Sequence, residues 1–519
     1  IPDAVPALDP DRPTPEGFRP VGQGIRRRLF EIVFHADDPA AKGFDVVLIV
    51  AILTSVLVVM LESVASIQSQ YARELLAAEW FFTVLFTAEY LLRLWCCVEE
   101  PAAGAPARTH ARKRLVMLDC NDASNQSLSR KVLDRPRLLE RIRREIDDVQ
   151  RAHLVCFNST ADERTLAVRL GIPLNSVDPE LNHLGTKSGC REVFREAGIL
   201  LPEGYERLQT PDDIARSLAA LKASDRSRQR CVVKLNEGFS GEGNALFRYL
   251  AEEQDVEESE LAKRILDRLP SALKYEAPSE CWDSFSRKYA EMQGVVEAFV
   301  EGTDKRSPSV QCRVNAMGEP QVISTHDQVL GGASGQVFLG CTFPADAAYR
   351  LDIQDSGAKV ARVLADHGVI GRFAVDYVSV PDGRGGFAHY AIEVNLRKGG
   401  TTHPFLTLKF LTTGSLDLDS GEFITPSGQA KYYFATDTIQ EDRYKGLRPD
   451  DLVDIAVYHG LHFHGPTQRG VVFHLIGALS QYGKVGIVAI GDNPQQARFL
   501  YKQTLQVLDE ATGRRGRGQ

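Results

Sequence analysis

None of the nine cysteines belongs to a C-x-x-C pair. That excludes a zinc ribbon and a thioredoxin-type redox motif. A scattered, odd set suits a reducing compartment, where most act as small buried apolar residues. Positive charge is also short: 61 Lys and Arg stand against 69 Asp and Glu, a net charge of −8. No nucleic-acid partner is expected of such a balance. There is no G-x-x-x-x-G-K-[ST] loop, because Gly185–Gly189 (GTKSG) has only its tail, and no G-x-G-x-x-G. A P-loop and a dinucleotide fingerprint are therefore excluded. No apolar helix repeats Arg or Lys every third residue, and no T-V-G-Y-G-like filter occurs. A complete voltage-gated channel needs both. No internal repeat is visible.

The 519 residues are 43% hydrophobic and 25% charged, enough for roughly three to four globular domains. Pro2, Pro6, Pro10, Pro13, Pro15 and Pro20 predict a disordered tail over residues 1–27. Two apolar runs follow. Val46–Leu61 is sixteen residues without a charge, and Leu75–Val98 contains Glu79, Glu89 and Arg93. A span needs about 20 mostly apolar residues, so two buried helices of a soluble domain are one reading. The flanks favour a membrane hairpin. Arg26, Arg27 and Arg28 precede it, Arg108, Arg112, Lys113 and Arg114 follow it, and the loop carries only Arg73. The positive-inside rule then places both ends in the cytoplasm. The strings FDVVLIVAILTSVLVVMLES and EWFFTVLFTAEYLLRLW resemble the first two helices of a bacterial voltage-sensor domain, over about residues 28–98. The resemblance implies that Glu79, Glu89 and Phe86 are the acids and aromatic plug facing gating charges. The expected membrane contact is residues 44–98, tethering a cytoplasmic catalytic region to the cell membrane.

From about Pro106 onward, apolar runs alternate with charged helical patterns, which predicts an α/β or α+β class. RLVMLDC and RAHLVCFN read as strands, RPRLLERIRREI as an amphipathic helix, and Glu252–Leu269 as a solvated surface helix.

Three segments carry chemistry. CVVKLNEGFSGEGNA puts Lys234 on a strand that runs into Gly238, Gly241 and Gly243. Glycines let backbone N–H groups approach phosphate, and a strand-borne lysine adds a fixed charge; a plain hairpin would look the same. GVVEAFVEGTDKR ends an apolar strand in the acidic turn Glu301–Asp304, which offers backbone to a purine and a carboxylate to a ribose, or is simply an edge strand and turn. The strongest is RFAVDYVSV followed by HYAIEVNLRKGGTTHP. Period-two alternation puts Glu393 and Asn395 on one strand face, with Asp376 on the neighbouring strand. Two carboxylates and an amide are hard oxygen ligands of the kind Mg²⁺ takes with ATP phosphates. Arg397 follows on the same face, able to grip a phosphate or carboxylate. A salt-bridged hairpin is the plainer reading.

In this order the three segments resemble the ATP-grasp superfamily, and more closely its peptide ligases of the pheganomycin-biosynthesis type, also called carboxylate-amine ligases. The strings LGTKSGCREVFREAG, VVKLNEGFSGEGNA, STHDQVLGGASGQVFLGC, GRFAVDY, EVNLRKGGTTHPF and GVVFHLIGALSQYGKVG carry it, over about residues 109–510. The resemblance implies two α+β subdomains clamping ATP, a carboxylate activated as acyl phosphate, and an amine or peptide partner displacing phosphate. By motif, Lys187 and Lys234 contact phosphate, and Gly238, Phe239, Ser240, Gly241, Glu242, Gly243 and Asn244 close over it. Glu297, Ala298, Phe299, Val300 and Glu301 hold adenine, and Asp304 the ribose. Asp376, Glu393 and Asn395 bind magnesium, and Arg397 and Lys234 serve catalysis. His326, Asp327 and His403 lie near by motif, with a structural role as an equal reading. The sequence departs from the family ahead of Arg114, where pre-grasp strands are missing, and at Asn175–Ser176. The expected domains are 28–98 (hairpin), 99–185 (linker and partial pre-grasp), 186–424 (ATP-grasp) and 425–519 (C-terminal α/β region with a basic tail). The alternative is an ion-transport-like fragment fused to a catalytically impaired ATP-binding domain.

Overall fold

The computed structural model describes residues 39–63, 65–97, 114–238, 243–331 and 337–515. The proline-rich tail, the basic flanks other than Arg114, Phe239–Glu242 and residues 516–519 lie outside them. The chain divides into two units, Ile1–Asp119 and Cys120–Gln519.

In the first unit, helices α1 (Pro39–Glu62) and α2 (Ala65–Cys97) pack on each other, so the two-helix hairpin is present. The membrane assignment is corrected. Among the described residues no helix is long and apolar enough to cross a membrane. The sixteen uncharged residues of Val46–Leu61 extend about 24 Å at helical rise, short of the roughly 30 Å hydrocarbon core. The sensor assignment has no physical support either. Glu79 lies against the Glu62 carboxyl, whose pKa is raised first by that hydrogen bond and then by the Glu79 charge. Phe86 stacks on Phe82 at 6.1 Å. The side chains of Glu89 and Arg93 are outside the described set.

The chain is irregular where the first unit ends and the second begins. RLVMLDC forms no strand, and Leu154 of RAHLVCFN makes only an isolated parallel bridge to Leu174. A strand is held by its neighbours' hydrogen bonds, and among the described residues neither segment has a neighbouring strand to pair with. The amphipathic helix does form, as Pro136–Arg144, with Leu139 buried. Helix α3 (Lys187–Glu196) starts at the N-cap Thr186, whose hydroxyl accepts from Gly189 N–H.

A five-stranded antiparallel sheet follows, ordered β1-β5-β2-β3-β4. Its strands are β1 (Gly204–Leu208), β2 (Arg230–Leu235), β3 (Asn244–Arg248), β4 (Lys274–Tyr275) and β5 (Gly294–Ala298). Helix α4 (Pro211–Ser224) opens with a Thr210/Asp213 capping box and buries Ile214, Leu218 and Leu221 on this sheet. The charged stretch expected as a solvated helix is α5 (Glu258–Ala272). Its Leu261, Ile265 and Leu269 recur at helical spacing and are buried in the same core, so one face is structural.

An eight-stranded sheet, ordered β10-β9-β6-β7-β8-β13-β15-β14, forms the larger body. Its first strands are β6 (Pro308–Val314), β7 (Pro320–Gly331) and β8 (Val337–Phe343). Helix α6 (Arg350–Asp366), β9 (Gly371–Pro381), β10 (Phe387–Asn395) and helix α7 (Thr402–Thr412) come next. After the short ribbon of β11 (Ser415–Leu416) and β12 (Phe423–Ile424), β13 (Tyr432–Gln440), β14 (Gly470–His474) and β15 (Lys484–Gly491) complete the sheet. One face of β6, β9 and β10 sends Val310, Cys312, Val314, Phe373, Val375 and Val394 into a core with α3 and α6. Their alternate residues carry the polar groups described next.

Candidate active site

Lys234 sits on β2 opposite Asn244 of β3 and Val295 of β5. Its ammonium donates to Glu297 at 2.5 Å. Arg191 of α3 reaches the other Glu297 oxygen at 2.7 Å. Burial pushes the Glu297 carboxyl up, but Lys234 and Arg191 outweigh it and hold the group below the usual carboxylate range. Glu297, expected against adenine, is thus an almost fully buried anchor for Lys234. Beyond it, Phe299 lies between the Arg230 guanidinium and the Lys305 ammonium, each 4.0 Å from the ring centroid. Glu301 pairs with Arg230, and Asp304 with Arg306 at 3.0 Å. The ends of the glycine loop are side by side: Leu235 N–H donates to Gly243 C=O at 2.9 Å, and a Cβ on Gly238 would stand 3.1 Å from the Gly243 Cα. Phe239, Ser240, Gly241 and Glu242 lie outside the described residues.

Glu393 on β10 stands opposite Asp376 on β9, and Asn395 opposite Ala374. Lys187, the first residue of α3, pairs with Glu393 at 2.6 Å. Burial pushes the Glu393 carboxyl up, but the charge and hydrogen bond of Lys187, with Lys234 and Arg397 behind them, hold it low. Asp376 differs. It accepts from Gln328 at 2.9 Å and Asn395 at 2.8 Å, and among the described residues it has no ion pair. Burial, then the Glu393 charge, push it up to about 7. Lys187, Lys234, Glu393, Asp376 and Arg397 therefore share one electrostatic neighbourhood.

This donor set fits magnesium. No cluster of three His, Cys, Asp or Glu is assembled among the described residues, so a protein-only cage is not what is built. Two facing carboxylates plus the Asn395 amide oxygen, available on rotating that amide, suit a hard cation that takes its remaining ligands from phosphate and water. A cation there would also relieve the unpaired charge on Asp376.

His326 is a core residue. It is fully buried, hydrogen-bonded to Tyr433 at 2.6 Å, and held down to about 3 by burial. Asp327 accepts from Tyr349 at 2.6 Å and from Asp346 N–H at 2.9 Å. The His403 ring lies against that of His474, tilted by 36° with centroids 4.4 Å apart. Arg191 and Gln328 were not legible in the sequence; each is joined to its acid only by the fold.

Residues 179–419 match the family model described as IQCH-like, ATP-grasp, and residues 451–504 match the PGM1 C-terminal domain. The chain is 30% identical over 408 residues to the L-propargylglycine–L-glutamate ligase of Streptantibioticus cattleyicolor, covering 78% of this chain and 80% of that protein. It is 23% identical over 456 residues to the IQ motif-containing protein H of Danio rerio, covering 81% of this chain and 43% of that protein. Among solved structures, a biotin carboxylase from Campylobacter jejuni aligns over 71% of this chain and 77% of that one, with 13% identity and a TM-score of 0.47. The chain belongs to the ATP-grasp ligase family. Its activity is that of a carboxylate–amine ligase, an enzyme that uses ATP to join an acid to an amine.

Proposed function

We propose that this ligase binds Mg-ATP between its two sheets and joins an amino acid or short peptide to a second amino acid through an acyl phosphate. The observation that carries the reading is the convergence of Lys187 from α3 and Lys234 from β2 on the Asp376/Glu393 pair of the other sheet. The attacking carboxylate and the γ-phosphate are both anionic, so their approach must be screened. Lys187, Lys234 and Arg397 supply fixed positive charge around that point and stabilise charge developing on phosphoryl oxygens. Magnesium, when bound, supplies further charge neutralisation on the nucleotide phosphates. Gln328 and Asn395 hold the Asp376 carboxylate in orientation. Arg191 holds Glu297, which fixes Lys234. Residues 298–301 and Asp304 form the adenosine side, with Phe299 as its aromatic member. Gly238–Asn244 form the phosphate loop. The amine then displaces phosphate, giving an amide, ADP and phosphate. An amino-acid pair is in keeping with the activity named for the Streptantibioticus relative.

The test is Lys234→Ala, assayed by amine-dependent ADP release. Losing one preorganised charged donor should cost about 3–4 kcal/mol of transition-state stabilisation, a fall of several hundredfold in turnover. Unchanged kinetics would sink the phosphate-site assignment.

A further inference from the structure

The polar face of β6, β9 and β10 is ordered in rungs. Ser309, Asp376 and Glu393 lie abreast, then Gln311, Ala374 and Asn395. The third rung places Arg313 directly opposite Arg372. Like charges directly opposite one another are destabilising in an antiparallel pair. Neither arginine forms an ion pair with a described carboxylate, and Arg372 Nη1 is buried without a hydrogen-bond partner. Lys398 lies within reach of the Arg372 charge, which, after burial, helps hold its ammonium below its ordinary range. Burial, then Arg313, likewise hold the Arg372 guanidinium down.

A second orphan points the same way. Gln311 is 2% exposed; its Oε1 accepts from Thr402 at 2.9 Å, but its Nε2 has no partner. Gln311 and Arg372 are on the same sheet face, one rung apart. Buried donors without acceptors, beside a cation pair without an acid among the described residues, describe an anion site. At about 3.3 Å per residue the arginine rung lies roughly 13 Å along the strand from Asp376. That is beyond the Asn395 rung, on the side where Arg397 leaves β10, and away from the lysines assigned to the nucleotide. An amino acid is far shorter than that gap, so with its second carboxylate on the arginines its reacting group would stand by Arg397, two residues past Asn395 and level with this rung, and not by Asp376.

We propose that Arg372, with Arg313, Lys398 and Gln311, receives a second, non-reacting carboxylate of a substrate, so that this ligase selects substrates bearing a free carboxylate besides the group that reacts. The inference rests on the ligase reading above. The carboxylate is carried either by the acid substrate or by the amine substrate, and the chemistry of recognition is the same.

The experiment follows thermal unfolding of the full chain with Mg²⁺ and a non-hydrolysable ATP analogue, adding amino acids in two arms. L-glutamate against L-glutamine and L-isoglutamine tests an acid substrate. L-alanine against L-alaninamide tests an amine substrate. The dependence of the midpoint on concentration gives apparent affinity. In one arm the carboxylate form should bind on the order of tenfold or more tighter than its amide, the difference a hydrogen-bonded charge makes. Arg372→Gln should erase that difference and leave the nucleotide shift intact. Where Arg372→Gln shows no nucleotide shift because it does not fold, Arg313→Gln is read the same way. Equal binding of acid and amide in both arms by the wild type overturns the inference, as does a nucleotide-stabilised wild type that answers to none of the amino acids. A folded Arg372→Gln that keeps the acid preference and loses the nucleotide response also overturns it, since the rung would then serve phosphate. A wild type that the nucleotide fails to stabilise counts instead against the ligase reading itself.

Discussion

Asp376 is the residue at which function and stability pull in opposite directions. Its carboxyl is pushed up to about 7 by burial and by Glu393, against an ordinary value of about 4. Between these values the folded protein holds a proton that the unfolded chain has released, so this group's contribution to stability falls as pH rises from about 4 to 7. Above that window the unliganded fold carries a buried, unpaired charge. Asp376→Asn should therefore raise the melting temperature of the unliganded protein at pH 8, by more than at pH 4, while Mg-dependent ADP release is lost. Calorimetry at the two pH values checks the first part; a lower melting temperature at pH 8 would refute it. Glu297 makes the opposite case, since its charge is already matched by Lys234 and Arg191. Arg191→Met leaves a buried carboxylate with one partner and should cost about 3–5 kcal/mol in urea unfolding. A change under 1 kcal/mol would show that water reaches Glu297. Lys234, Asp376, Glu393 and Asn395 could be picked out in the sequence because each sits in a short string with its own spacing. Arg191 lies 106 residues from Glu297, and Gln328 lies 48 from Asp376; no local pattern announces such a pair.

At the scale of elements, the site depends on how closely α6 approaches the sheet. A Cβ on Gly357 would fall 2.6 Å from the Val310 Cγ1. Val310 is flanked in sequence by Ser309 and Gln311, whose side chains line the polar face. Gly357→Ala should push the helix away and destabilise the fold by about 1–3 kcal/mol, as overpacking does, although alanine is the better helix former. Equilibrium unfolding checks this, and a stabilised variant would mean that the helix shifts without resistance. Strand assignments agree where the elements have neighbours: β2, β5, β9 and β10 fall on the strings that predict them. RLVMLDC and RAHLVCFN have equally strand-like sequences and fail. β-propensity describes a fit to a pleated, half-buried surface, and among the described residues no neighbouring strand provides that surface.

At the scale of the whole molecule, every described side chain assigned to the site belongs to Cys120–Gln519. A chain beginning at residue 105 should therefore remain soluble and be stabilised by Mg-ATP, by about 2.7 kcal/mol at a hundredfold excess over Kd. An insoluble product would mean that the ligase part needs the α1–α2 hairpin to fold. A soluble product without a nucleotide response would mean that the pre-grasp layer is needed to form the site. The hairpin also shows where flanking charge misleads. Arginines on both sides of two apolar runs satisfy a topology rule, but crossing requires length and apolarity as well, and the described helices do not meet that requirement.

The sequence by itself determined the ligase family and the ATP-grasp fold, and it nominated the phosphate and metal side chains proposed above. Their chemistry is local, written in one strand or one turn and read by alternation. Only the tertiary structure decided which charges neutralise which. It made Glu297, expected beside adenine, the buried partner of Lys234, placed His326 in the core, and set Arg313 against Arg372 with no acid between them among the described residues. Charge pairing and desolvation act through space between segments far apart in the chain, so they exist only once the sheets have formed.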